Sequence, residues 1–511
     1  MFWLRNKYSV VEKPLAMKFL LGYDIGSSSV KATLLDIETG RGVASATSPT
    51  HEMGMIAVQN GWAEQDSERW FEELINATHQ LKDKYDFDNQ LVAGIGISYQ
   101  MHGLVLVDKD CKVLRPSIIW CDSRAVEIGN RAFEDLGSQY CLTHLLNSPG
   151  NFTASKLKWV KENEPQLYEK VYKFMLPGDY IAMRLTGEMQ TTVSGLSEGI
   201  FWDFTEQSVS SKLLDYYGFQ ENLIPQIVPT FGISGQLTPT MADKLGLKSG
   251  TPVAYRAGDQ PNNAFSLNVL NIGELATTAG TSGVVYGIND SPKADEKSRV
   301  NSFVHVNSTA QNPRNGVLLC INGTGILNSW LRKLSNGIDY EEMNNLAASA
   351  PVGANGISFL PFGNGAERVL ENKIIESHLQ GLNFNAHSNA HVFRAAQEGI
   401  VFALEYGLKV MREMGVSTKT VRAGCANMFL SPVFRETFTN ITQASIELYN
   451  TDGAQGAARG AGIGVGVYDF KSAFAGLEKL ENIDPNPNLR AEYQDAYLRW
   501  EMVLEQHLAK I

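Results

Sequence analysis

The chain reads as an α/β protein of two domains, and three observations carry that reading. At 511 residues it is well beyond the roughly 250 to 300 residues at which one hydrophobic core stops growing. Strand-like apolar runs alternate with helix-like ones, the pattern of sheets covered by helices. A short grammar also recurs at half-chain distance. GYDIGSSSVKATLLDI near residue 25 and LATTAGTSGVVYGI near residue 280 each set a turn of glycine with serine or threonine between two apolar strands. Two related domains, each opening with a hairpin, account for the repeat.

The elements follow in order. Met17, just before KFLLGYDIG, reads as an alternative start, so residues 1–16 are expected to be an N-terminal extension with no part in the fold. LLGYDI and VKATLLDI flank the first turn, Gly26, Ser27 and Ser28. LVAGIGISY (91–99) is a strand, VLRPSIIW (113–120) a second, and a polar helical stretch starts at Arg124. VAYRAGDQPNNAF (253–265) runs from a strand through Gly-Asp-Gln-Pro-Asn-Asn into a helix. HVFRAAQEGIVFALEYGLKVMREMG (391–415) is the clearest helix, with Phe393, Ala396, Ile400, Leu404, Leu408 and Met411 three or four apart on one core-facing side. GAQGAARGAGIGVGV (453–467) follows no strand-then-GxGxxG arrangement and reads as a helix of small residues that allows close packing.

Composition narrows the function. Apolar residues at 43% and charged residues at 19% describe a globular chain that buries full cores. The net charge of −11 argues against a broad basic face, so neither nucleic acid nor an anionic membrane is an expected partner. No stretch approaches the ~18 consecutive apolar residues of a membrane helix, and the N-terminus lacks the apolar centre of a secretion signal. Five cysteines, Cys111, Cys121, Cys141, Cys320 and Cys425, form no C-x-x-C pair and fit reduced thiols. A cytoplasmic enzyme is the expectation. The G-x-x-x-x-G-K-[ST], H-E-x-x-H and G-x-S-x-G templates are all absent.

The chemistry is concentrated in four places. A turn of small residues leaves backbone N–H groups pointing into one concavity, and two such turns facing each other would grip one polyphosphate. A hairpin loop with no ligand is the plainer reading of either turn alone. Asp24 cannot bind phosphate directly but could hold Mg2+, itself or through water. Lys31 could answer phosphate charge or simply be a solvated strand lysine. Gln100 and His102 stand at the end of one apolar strand, and Trp120, Asp122 and Arg124 at the end of another, where open α/β sheets bind ligands. An aromatic plate among hydrogen-bonding groups suits a sugar, although His102 could equally be a satisfied core histidine. Asp259, between glycine and amides, could accept a hydroxyl proton in a cleft or could cap a helix.

Together DIGSSS, QMHG, WCDSR, GDYIAMRLTG, AGDQ, AGTSG and DGAQGAA, in this order over about residues 18–467, resemble the FGGY family of carbohydrate kinases. QMHG with WCDSR is most similar to its xylulose-phosphorylating members. The resemblance implies a two-domain actin/hexokinase-like (ribonuclease H-like) ATPase fold with a central interdomain cleft. A sugar-binding domain would span 17–262 and a nucleotide-binding domain 263–511. It implies ATP with Mg2+ as donor and a small sugar as acceptor, a homodimer being an allowed assembly. Asp259 would be the base, and Gln100, Met101, His102, Trp120, Asp122 and Gln260 would meet the sugar. Asp24 would support the metal and phosphates, with Gly26, Ser27, Ser28, Lys31, Gly280, Thr281 and Ser282 facing the phosphates. Adenosine would lie against NGTGI, with Gly323 and Gly325, and AGCAN, with Gly424, Cys425 and Asn427. The reaction expected is phosphoryl transfer to the terminal hydroxyl of D-xylulose. Gln260 is closer to the glycerol kinase pattern, which keeps ribulose, rhamnulose and glycerol as alternative acceptors. An actin-type ATP-driven switch would need no set of His102, Trp120, Asp122 and Asp259, and a catalytically dead sugar sensor would have no need to retain Asp24 and Asp259.

Overall fold

The computed structural model describes residues 17–511; the extension expected over residues 1–16 lies outside them. The first hairpin joins β1 (Phe19–Ile25) and β2 (Val30–Asp36), with Ile25 opposite Val30 across the turn. β3 (Gly42–Ser48) extends it on one side and β4 (Val92–Tyr99) lies parallel to β1 on the other. β5 (Phe231–Gln236) and β6 (Pro252–Gly258) complete a six-stranded sheet in the order β5-β6-β4-β1-β2-β3. β4 is buried along its whole length, as a strand covered on both faces must be. Helix α1 (Ser67–Lys84), capped by the Asp66 carboxylate accepting the Glu68 amide, packs against β2 and β3.

The second sheet has seven strands: β7 (Leu275–Ala279), β8 (Gly283–Asn289), β9 (Asn301–Val304), β10 (Asn315–Ile321), β11 (Thr420–Gly424), β12 (Ser445–Tyr449) and β13 (Lys479–Ile483). Their order is β9-β10-β8-β7-β11-β12-β13. The faint sequence repeat is thus a repeat of topology. In each sheet the hairpin's first strand pairs parallel with a later strand, β1 with β4 and β7 with β11, and its second strand pairs antiparallel with another, β2 with β3 and β8 with β10.

Helices connect and cover the sheets: α2 (Thr153–Asn163), α3 (Val193–Glu198), α4 (Asp259–Ser266), α5 (Gly325–Leu334), α6 (Asn389–Glu413) and α7 (Gly453–Gly464). The six periodic residues of α6 are all buried in the second core. Helix α7 follows β12, yet it lies on β1, β4 and β6 of the first sheet. Only glycine permits that approach: a Cβ on Gly22 would sit 1.9 Å from the Ala454 carbonyl oxygen, and one on Gly96 1.9 Å from that of Ala457. The small residues of 453–467 therefore do what their pattern implies, and they join the two halves.

One expected strand shrinks. Of residues 113–120 only Ser117–Ile118 form a strand, paired with Glu64–Gln65, while Val113 makes a lone bridge to Val107. Pro116 has no N–H to give a ladder, and Arg115 is drawn into ion pairs with Glu64 and Glu164 instead. The following helix spans Val126–Leu136.

Candidate active site

β1, β4 and β6 run parallel, so their C-terminal ends share one edge, with Ile25 beside Tyr99 and Tyr99 beside Gly258. That register sets the first turn, Gln100 and Asp259 side by side, where ligands bind in open sheets. The turn closes through Gly26 N–H donating to the Ser29 carbonyl at 3.0 Å, while Ser27 and Ser28 carbonyls are held by Gln65 Nε2 at 2.7 Å and the Met53 amide at 2.8 Å. Among the described residues the amides of Ser27 and Ser28 meet no protein acceptor. Trp120 Nε1 reaches Ser27 Oγ at 3.5 Å, placing the aromatic plate next to the turn.

Asp24 packs against the start of α7, where a Cβ on Gly453 would come within 2.3 Å of its Oδ2. Burial raises its carboxyl. Lys31, on β2, donates to Asp452 Oδ2 at 2.5 Å, so the structure gives it an acidic partner. Asp452 also caps α7 by accepting the Gln455 amide at 2.9 Å. Among the described residues no group of three or more His, Cys, Asp or Glu could hold a metal. A hard divalent cation that brings phosphate and water ligands of its own fits this donor set, since Asp24 offers one carboxylate and the amides of Ser27 and Ser28 are left without acceptors among the described residues.

Asp259 opens α4 without capping it: the capping position is Gly258, which makes no side-chain bond. The amide and side chain of Gln260 turn toward the Asp259 carboxylate. Burial, reinforced by the charge of Asp24, pushes Asp259 up to about 7. A carboxyl poised there can accept a proton near neutral pH. Met101 lies against the strand end leading to it, with Cγ 2.6 Å from where a Cβ on Gly258 would sit. Gln100 is 3% exposed, and among the described residues both of its side-chain polar atoms lack protein partners. Burial holds His102 down to about 3, so the imidazole is neutral.

Asp122 requires a correction. Its carboxylate is wholly buried, and both oxygens are spent on Arg124 and the Ala63 amide, the latter at 2.6 Å. It braces the WCDSR loop, leaving Trp120 as the loop's surface toward the site.

In the second sheet the ends of β7, β10 and β11 converge in the same way. Gly325 N–H donates to the Gly280 carbonyl at 2.9 Å and Ile326 N–H to that of Thr281 at 3.2 Å, so α5 starts directly on the second turn. Among the described residues the amides of Thr281 and Ser282 meet no protein acceptor. The exposed Asn427 has Nδ2 3.7 Å from where a Cβ on Gly280 would sit, and Cys425 N–H donates to the Tyr449 carbonyl at 3.1 Å. Gly424 faces the Thr451 carbonyl. Gly323 is the second correction: it is buried against the Pro361 carbonyl, with its amide turned to Glu367.

Sequence reasoning missed Glu198, Lys156, Asp452 and Glu367. Glu367 accepts the Asn322 amide at 3.0 Å and burial raises it to about 8, which fixes the loop before α5. Only Asp452 left a usable signal, an acidic residue after an apolar strand and before a helix, the same placement as Asp259.

Sequence models of the FGGY family of carbohydrate kinases match residues 19–266 with the N-terminal domain and 275–464 with the C-terminal domain. A xylulose kinase of Bacillus subtilis is 30% identical over 500 residues, covering 94% of this chain and 97% of that protein. One of Haemophilus influenzae is 30% identical over 507 residues, covering 95% and 99%. The crystal structure of a xyloylose kinase from Brucella ovis superposes with a TM-score of 0.86 at 26% identity, covering 96% of this chain and all of that one. The fold is the two-domain actin/hexokinase-like one expected.

Proposed function

The chain belongs to the FGGY family of carbohydrate kinases, and from that premise we propose that it phosphorylates D-xylulose on its terminal hydroxyl, giving D-xylulose 5-phosphate and ADP. One observation carries the reading: a buried carboxylate, Asp259, raised to about 7, at the edge where the acceptor residues and the first turn meet. The first half, residues 17–262, takes the sugar and the second, 263–511, the nucleotide.

Asp259 takes the proton of the attacking hydroxyl, a role contributing about 10²- to 10⁴-fold in rate. Gln100, Met101, His102, Trp120 and Gln260 orient the acceptor, Trp120 offering its face to sugar C–H groups. Main-chain amides of Ser27, Ser28, Thr281 and Ser282 line the path of the phosphates, with Lys31 beside them. Gly325, Gly424, Cys425 and Asn427 border the nucleoside. Mg2+, held near Asp24 with the phosphates, would neutralise charge on them. Positioning and charge stabilisation supply most of the catalysis in such transfers. The cell compartment we assign is the cytoplasm, where ATP and unbridged thiols coexist; all five cysteines are free, and no described helix can cross a membrane.

Gln260 beside the base favours a second reading, a family member acting on ribulose, rhamnulose or glycerol. ADP release with Mg-ATP decides between them: D-xylulose should raise the rate well above the no-sugar rate and above every alternative acceptor. Equal rates with and without sugar would overturn both.

A further inference from the structure

We propose that Glu198 is a positioning residue that holds His102 in the backbone conformation presenting its Nε2 to the acceptor, an inference that rests on the acceptor reading above. His102 has φ +60, a left-handed conformation uncommon for a non-glycine residue and held in place by its surroundings. Here they do so from several sides. Its imidazole Nδ1 lies 3.0 Å from the Glu198 carbonyl, and its backbone N–H donates to Glu198 Oε1 at 3.4 Å. Its own carbonyl accepts from Lys156 Nζ at 2.9 Å. Lys156, on α2, donates equally to the Ile119 carbonyl at 2.9 Å, so one ammonium ties the QMHG turn to the WCDSR loop. The ring is boxed by Phe152, edge-on at 4.8 Å, and by Phe303 of β9 at 5.4 Å.

These contacts fix the tautomer. A carbonyl can only accept, so Nδ1 carries the proton, and the neutral ring keeps its lone pair on Nε2. Nε2 has no protein partner among the described residues, so it is the atom left to accept a hydroxyl of the acceptor. Glu198 at the end of α3 reaches the base as well. It is 1% exposed, its Oε2 has no hydrogen-bond partner among the described residues, and that oxygen would stand 2.4 Å from a Cβ on Gly258, the residue before Asp259. One carboxyl therefore sets the spacing between the strand that ends in His102 and the strand that ends in Asp259. Burial raises its carboxyl and so favours the neutral acid, whose shape and hydrogen-bonding pattern glutamine shares.

The test compares Glu198→Leu and Glu198→Gln with wild type in ADP release, varying D-xylulose and ATP separately. Glu198→Leu should raise KM for D-xylulose about tenfold or more and change KM for ATP less than about twofold. Glu198→Gln should keep both within about threefold. An unchanged sugar KM in Glu198→Leu overturns the proposal, as do parallel rises in both KM values or a Glu198→Gln as impaired as Glu198→Leu. The backbone amide of His102, assigned in the 1H–15N spectrum with His102→Gln, reads the clamp without any substrate, because its N–H donates to the Glu198 side chain. It should resist hydrogen exchange in wild type and in Glu198→Gln and exchange about tenfold faster or more in Glu198→Leu. Equal protection in wild type and Glu198→Leu overturns the proposal. Wild type inactive on every ketose would sink the acceptor reading alone, leaving the spectrum to decide the clamp.

Discussion

The two hairpins share a topology and a grammar but not a charge. Around the first turn stand Asp24, Lys31 and Asp452, two carboxylates and an ammonium within one small volume. Around the second, the groups in contact are main-chain carbonyls, the Gly325 and Ile326 amides and the neutral Asn427. The duplication extends further than the turns: β6 leads into Asp259 and α4, as β12 leads into Asp452 and α7. Yet Asp452 pairs with a lysine and caps a helix, whereas Asp259 does neither. On the proposed function, one shared plan would be equipped twice, once for handling charge and protons and once for holding a ligand by backbone and shape. The side-chain chemistry that differs between the halves, rather than the strand order they share, would then divide the labour.

The largest effect should come from the carboxylate that escaped pairing. Asp259→Asn is expected to lower kcat by about 10²- to 10⁴-fold while KM for ATP stays within about twofold. In wild type kcat/KM should climb as pH rises through about 7, because the base works only when ionised. The same perturbation costs stability. Asp259 ordinarily titrates at 3.8, so between about pH 4 and 7 the folded chain keeps a proton that the unfolded chain has released, and stability falls as pH rises through that window. Asp259→Asn should thus melt higher than wild type at pH 8, and the gap should close toward pH 4. A variant with near wild-type turnover removes Asp259 from the reaction and with it the contrast to Asp452.

The second turn should break differently. A Cβ on Gly325 would lie 2.2 Å from the Gly280 carbonyl oxygen, so Gly325→Ala must push the turn out of place. Overpacking of this kind costs about 1–3 kcal/mol, which predicts a rise in KM for ATP of roughly 5- to 150-fold. KM for the sugar should move less than about twofold. Equal rises in both would mean that the second turn serves acceptor and donor alike, and the division between the halves would be lost.

What the sequence discloses of this site follows from how local each signal is. Both turns, the α6 helix and Asp259 are legible because strand periodicity, helical spacing and a glycine-bounded acidic residue lie within a dozen positions of one another. Glu198 and Lys156 are invisible for the opposite reason. A glutamate ending a six-residue helix and a lysine inside α2 look like surface residues, and only the folded chain brings them to His102. Asp122 shows the complementary failure: a polar residue just past an apolar run looks the same whether it faces a ligand or, as here, its neighbour Arg124. The role of α7 was half legible, since its small residues announce close packing but not that the partner is the other sheet.

The smallest effect tests the charge of the first turn itself. Lys31 and Asp452 are about one-third exposed, with side chains at 34% and 27%, and exposed pairs of this kind contribute about 0.2–1 kcal/mol. If the pair only balances charge beside the phosphates, Lys31→Met should raise KM for ATP about two- to fivefold, less at high salt, with kcat nearly unchanged. Asp452 would remain in place, because the Gln455 amide still holds it at the start of α7. The double variant with Asp452→Asn separates the cases. Were Asp452 the ammonium's main partner, the two substitutions together should cost less than their separate effects combined. A drop in kcat of about 10²-fold or more for Lys31→Met alone, undiminished in the double variant, would place Lys31 on the phosphoryl group in the transition state. The first turn would then grip the donor by charge where the second, on the proposed function, would grip it by backbone.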